Sequence, residues 1–157
     1  MKLGLDMHGV VDKDSVFFSH LADIMLLRDH EVHIVTGRED TEELREELAN
    51  CSMIVGSRDL FTSILSITTY QKALGVPVCY LNDDPTQPMM DPKVWNPTKA
   101  TLCATAGIDV MIDDSTLYEP YFRDIKTQYI IFNDAVSTWL SLMFYQDYFT
   151  VPRRKLP

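Results

Sequence analysis

Leu3-Gly4-Leu5-Asp6-Met7-His8-Gly9-Val10-Val11-Asp12 is the stretch on which the reading of the chain turns. An apolar run of strand length stops at a carboxylate, a glycine follows shortly after, and a second apolar pair leads to another aspartate. In open parallel sheets ligands bind outside the carboxyl ends of the strands, so a charged residue closing an apolar run marks a candidate site. Outward from this stretch, short apolar runs alternate with helical stretches to the end of the chain. That is the pattern of an α/β protein with a mainly parallel sheet covered on both faces, a three-layer sandwich. Strands are predicted at 2–6, 31–35, 53–55, 78–82, 108–112 and 128–132.

The helices between them have readable ends. The first starts after Asp14 or Ser15 and runs to about Arg28, with Phe17, Leu21, Ile24 and Met25 on one face. Asp40 followed by Glu43 has capping-box spacing and opens a short acidic helix ending near Asn50. A third is predicted over 59–74, starting at Asp59, carrying Leu60, Ile64, Ile67 and Leu74, and stopping at Gly75. A fourth has Asn96 as N-cap, Pro97 at its first position and Gly107 past its end. The last, 134–148, is apolar on nearly all sides, which suits deep packing or an interface between copies of the chain. Residues 51–97 hold a small insertion and a Pro-rich loop, 83–97, a candidate lid or substrate-side loop; 150–157 form a basic tail.

Composition narrows the function classes. The 157 residues make one domain, 1–157, with 46% hydrophobic and 24% charged residues, enough for a real core. The net charge of -9 argues against nucleic acid or anionic lipid as a partner, so an anionic substrate needs a local cation or a metal. No signal-peptide pattern or membrane-length apolar run is visible, and a cytoplasmic location is expected. Cys51, Cys79 and Cys103 are odd in number and widely spaced, and read as reduced packing residues.

The polar residues at the strand ends carry the chemistry. The first strand ends in Asp6-Met7-His8, the second in Thr36-Gly37-Arg38, and strand 108–112 in Asp113-Asp114-Ser115. Carboxylates from two strands can share a hard cation such as Mg2+, which takes oxygen ligands. Lys99 falls near the third position of the predicted helix 96–107, where a cation opposes the positive end of the helix dipole. An acidic cluster or a bound anion would offset that cost; the plainer reading is a solvated lysine. Arg38 is either a substrate contact or an ordinary surface residue. Asp83-Asp84, with Lys72 upstream, is a rival acidic pair that reads more simply as a turn. His20, His30 and His33 lack ligand spacing and read as structural. The glycines form neither a dinucleotide-binding fingerprint nor a P-loop.

An aspartate-rich motif on the first strand, a Thr closing the second, a Lys on a late helix and an Asp pair closing the next strand resemble the haloacid dehalogenase-like (HAD) hydrolase superfamily. Leu5 to Asp12 is particularly similar to the D-M-D-G-V-x-x-D motif of deoxyribonucleotidases and related small phosphatases. The resemblance covers residues 2 to about 134 and implies a Rossmann-like core without a large cap domain. It implies a phosphohydrolase acting on a small phosphomonoester, a nucleotide among the candidates. Asp6 would be the nucleophile that forms an aspartyl-phosphate. Thr36 and Gly37 would bind phosphoryl oxygens, and Lys99 would neutralise charge. Asp6, Asp113, Asp114 and the backbone carbonyl of His8 would hold Mg2+. At His8 the sequence departs from the pattern, because the resembling phosphatases carry there an Asp that protonates the leaving oxygen. An imidazole can act as acid and base, but slow turnover or a preference for good leaving groups is expected. The second expectation, from another class, is a silenced module that binds metal, phosphate or a protein without turnover.

Overall fold

A computed structural model describes residues 1–52, 60–139 and 142. The strand expected at 53–55, Asp59, most of the helix expected over 134–148 and the tail 150–157 lie outside the described residues. In chain order the elements are β1 (Lys2–Leu5), α1 (Ser15–Leu26), β2 (Glu31–Thr36), α2 (Glu42–Ser52), β3 (Ser63–Ser66), α3 (Ile67–Ala73), β4 (Cys79–Tyr80), β5 (Pro88–Met89), α4 (Pro92–Ala106), β6 (Val110–Asp113) and β7 (Gln128–Ile131). Five strands form a wholly parallel sheet in the order β3-β2-β1-β6-β7. The architecture is a Rossmann-like three-layer sandwich.

The two faces of the sheet follow from the alternation along β1. Leu3 and Leu5 join Val32 and Ile34 against Phe17, Phe18 and Met25 of α1 and Leu44 of α2. The opposite face packs Val35 and Met111 against Ala100 and Cys103 of α4. Burying a side chain the size of Phe18, fully inaccessible here, stabilises the fold by about 1.5–3 kcal/mol. α1 is held at its start by Asp14, whose side chain accepts from Phe17 N.

Register fixes where the polar ends meet. Leu5 pairs with both Ile34 and Ile112, so the next residues, Asp6 and Asp113, emerge side by side at one edge. The chain runs outward from β1 through β2 to β3, then returns to place β6 on the other side of β1. The crevice beyond such a reversal is where open parallel sheets bind ligands.

Three expectations are corrected. Residues 63–66, expected inside helix 59–74, form β3, which pairs with β2 through Ile34 with Ile64 and Val35 with Leu65. Leu60, Ile64 and Ile67 lie four and three residues apart, spacing that suits a helix stripe equally well, and pairing with β2 decides the matter. The helix proper begins at Ile67, capped by Ser66 Oγ, which accepts from Thr69 N at 2.9 Å. Residues 78–82, expected in the main sheet, instead supply β4, which pairs antiparallel with β5 as a separate hairpin. Asp83 and Asp84 lie in its turn, where the Asp84 carboxylate accepts from Thr86 N, Thr86 Oγ1 and Gln87 Nε2. Finally, the fourth helix starts at Pro92 rather than after Asn96, with Asp91 accepting from Lys93 N at 2.9 Å. Asp91-Pro92 and Asn96-Pro97 are equally good start signals, and the earlier one is used, leaving Pro97 inside the helix.

Residues 134–139 are helical, with Trp139 and Leu142 both exposed. No helix among the described residues is long and apolar enough to cross a membrane. All three cysteines are free, but Cys79 is exposed rather than packed. Cys103 is buried, which pushes its thiol up to about 12 and leaves it inert. His33 is buried, with Nδ1 hydrogen-bonded to Ser63 Oγ at 2.9 Å, and joins β2 to β3.

Candidate functional site: a lysine between two buried carboxylates

Beyond β1 the backbone makes one wide turn, Met7–Val11, closed by Asp12 N donating to Met7 O at 3.0 Å. Gly9 has φ 79° within it, and its N–H donates to Asp12 Oδ1 at 2.6 Å, so Asp12 serves the turn. A Cβ on Gly9 would stand 2.0 Å from Asp114 Oδ2. Glycine is thus needed for both the dihedral and the approach of Asp114. The turn aims Asp6 and His8 into a cavity of about 400 Å³ bounded also by Gly37, Arg38 and Asp114.

Lys99 lies at the centre of the charge arrangement. Its ammonium donates to Asp6 Oδ1 at 2.9 Å and to Asp113 Oδ2 at 2.6 Å, with Lys99 1%, Asp6 8% and Asp113 0% exposed. It lies in the interior of α4, so the expected conflict with the dipole at a helix start does not arise. What explains a buried cation here is the pair of carboxylates it serves. The other Asp113 oxygen accepts from Ser115 N at 2.9 Å. Asp114 is exposed at the mouth, and oxygens of Asp6, Asp113 and Asp114 lie within 4.8 Å of one another.

Three carboxylates against one ammonium leave the site with excess negative charge, and the titration behaviour reflects it. Burial pushes the Asp6 carboxyl up to about 6; Lys99 opposes this, while Asp113 and Asp114 add to it. Lys99 moves upward too: burial disfavours its charge, but Asp6 and Asp113 together outweigh that. A divalent cation would relieve both. Hard carboxylate oxygens from two adjacent strand ends, one opening to the cavity through the space left by Gly9, fit Mg2+.

The remaining expected residues separate. Gly37 and Arg38 line the cavity. Thr36 does not: it is fully buried, and its Oγ1 accepts from Arg38 N at 3.2 Å. The Arg38 guanidinium is tied to Glu47 of α2 at 2.7 Å. The His8 ring is exposed, borders the cavity and makes no hydrogen bond among the described residues; it is not part of the carboxylate cluster.

Two walls complete the site, and the stretch 83–97 singled out in the sequence contributes to both; Tyr118 alone escaped the sequence reading. Thr86, Gln87 and Pro88 of the β4–β5 hairpin form one wall, so the first part of the Pro-rich stretch borders the site as a hairpin. Its base is pinned by Tyr80 Oη donating to Glu39 Oε2 at 2.7 Å and Lys72 Nζ donating to Glu39 Oε1 at 2.6 Å. The other wall is Trp95 with Tyr118, joined by Trp95 Nε1 donating to Tyr118 Oη at 2.8 Å. Trp95 precedes Lys99 by four residues, one helical turn on the same face of α4, a relation hidden while the helix is taken to start after Asn96. Tyr118 carried no signal in the sequence.

No protein-family model and no curated protein matches the chain. Among solved structures it is similar to an uncharacterized protein from Corynebacterium glutamicum, at 11% identity and a TM-score of 0.52, over 91% of this chain and 92% of that one. A likeness at that identity shows the fold, and the fold alone.

Proposed function

We propose that the chain is a cytoplasmic Mg2+-dependent phosphohydrolase acting on a small phosphomonoester, with nucleotides the first class to test. The observation that carries this reading is the site's charge: two buried carboxylates share Lys99 while a third opens to the cavity. Such a set repels a phosphate until a cation joins it, and then has the charge balance that phosphoryl transfer requires. Asp6, Asp113 and Asp114, with the His8 carbonyl, would hold Mg2+, which supplies positive charge beside the transferring phosphoryl group. The resemblance of Leu5 to Asp12 to small phosphatases supports the same reading.

This chain's residues then divide the work. Lys99 holds Asp6 Oδ1, while Asp6 Oδ2 accepts no hydrogen bond among the described residues and has its lone pairs available to phosphorus. As the Oδ2–phosphorus bond forms, the ester bond breaks and the leaving oxygen takes a proton, either from the His8 imidazole or from solvent. Water next attacks phosphorus, the Oδ2–phosphorus bond breaks, and inorganic phosphate leaves with the Asp6 carboxylate restored. One water is consumed per turnover.

The test is hydrolysis of p-nitrophenyl phosphate and a panel of nucleoside monophosphates, with Mg2+ and with EDTA, beside Asp6→Asn. Metal-dependent phosphate release that Asp6→Asn abolishes is the expected result. No release by a folded protein that still binds Mg2+ would favour the second reading, a silenced binding module. The exposed His8 ring, without a hydrogen bond among the described residues where an acid is expected, motivates that reading; a large gain of activity in His8→Asp would identify the lost acid.

A further inference from the structure

We propose that Tyr118 is the positioning residue for Lys99, its ring face closing the side of the ammonium that the two carboxylates leave open. An ammonium has three N–H donors, and Lys99 spends two on Asp6 and Asp113. The Tyr118 ring centroid lies 4.5 Å from Nζ, within the range at which an aromatic face attracts a cation. With Lys99 almost wholly inaccessible, that face takes the place water would otherwise hold. The contact strengthens as water is excluded, and it disfavours withdrawal of the ammonium from Asp6.

The ring is itself held from behind. Trp95 Nε1 donates to the Tyr118 hydroxyl, and Trp95 lies so close over Gly37 that a Cβ there would stand 2.6 Å from its Cζ2. Gly37, Trp95, Tyr118, Lys99 and Asp6 thus form a contiguous series from the end of β2, through α4 and the loop after β6, to the end of β1. The hydroxyl serves Trp95 and the ring serves Lys99, so the two contributions separate in Tyr118→Phe and Tyr118→Leu.

The kinetic part rests on the phosphohydrolase reading; the spectroscopic part does not. With a substrate the wild type hydrolyses, Tyr118→Leu is expected to lower kcat about tenfold with little change in KM, the scale of a desolvated cation–π contact. Tyr118→Phe should restore kcat to within about twofold of wild type, since the ring face is kept. If Tyr118→Phe is as slow as Tyr118→Leu, the hydroxyl rather than the ring face matters and the proposal is overturned. In parallel, NMR of lysine-labelled protein, with Lys99 assigned through Lys99→Arg, should show ammonium and ε-methylene protons shifted upfield by the ring. That shift should persist in Tyr118→Phe and vanish in Tyr118→Leu. An unshifted Lys99 in the wild type overturns the proposal whether or not turnover occurs. A shifted Lys99 in a protein without phosphatase activity would support it while rejecting the phosphohydrolase reading.

Discussion

Two lysines in this protein each serve two oxygen-bearing partners, and the contrast between them shows what burial does to one chemical motif. Lys72 bonds Glu39 at the base of the hairpin, with Tyr80 completing the group, and its side chain is 45% exposed. Lys99 bonds Asp6 and Asp113 and is almost wholly inaccessible. Around Lys72 water screens every charge, so the group fastens a loop and little more. Around Lys99 there is little water to share the load, so removing the ammonium leaves two carboxylates facing each other in a poor solvent. The first arrangement is a clasp; the second gathers three carboxylates around one ammonium and carries excess negative charge.

The largest effect expected is on the buried side of this comparison. Lys99→Met should cost about 3–5 kcal/mol in urea denaturation at neutral pH, because two carboxylates then face each other without a cation. Lys72→Met should move the same midpoint little, and a comparable loss in both variants would erase the distinction.

Next comes a pH dependence. Asp6 titrates near 6 when folded against an ordinary value of 3.8, so the folded state holds its proton more tightly. Its contribution to stability is therefore full below pH 4 and is lost as pH rises through 6. Asp6→Asn, which cannot ionise, should match wild type near pH 4 and become the more stable protein above pH 6, by on the order of 3 kcal/mol. Paired denaturation curves across that range, in EDTA, check the sign; a stability gap independent of pH would show that the Asp6 charge is already balanced.

Gly9→Ala should follow, since forcing an L side chain into the left-handed region costs about 1–2 kcal/mol. The new Cβ must also displace Asp114, so the rise in melting temperature on adding Mg2+ should shrink relative to wild type. An undiminished Mg2+ response would remove Asp114 from the cation site. The smallest effect is expected for Glu39→Gln, which loosens the hairpin base without touching Lys99. Calorimetry should find a near-native melting temperature, and hydrogen exchange should be faster across Cys79–Met89 alone.

How much was legible beforehand depended on how local the deciding interactions are. Asp6, Asp113 and Asp114 could be read because an apolar run ending in a carboxylate is a property of a few neighbouring residues. The third strand could not, because Leu60, Ile64 and Ile67 suit a helix stripe as well as a strand leading into a helix, and pairing with Ile34 and Val35 settles the choice. The start of α4 was ambiguous for a similar reason: Asp91-Pro92 and Asn96-Pro97 carry the same local signal. The shift of that start moved Lys99 from the first turn to the helix interior, so the clue that singled out Lys99 was mistaken although the residue does lie at the site. Thr36 stands at the expected strand end, yet its hydroxyl is spent on the backbone of Arg38.

By itself the sequence determined an alternating α/β chain and the carboxylates that close β1 and β6, because periodicity and caps are written over short spans. Only the tertiary structure decided the partners of Lys99, the hairpin wall and the closure by Trp95 and Tyr118. Those rest on contacts between residues up to 93 positions apart, and the energy of a buried charge depends on everything folded around it.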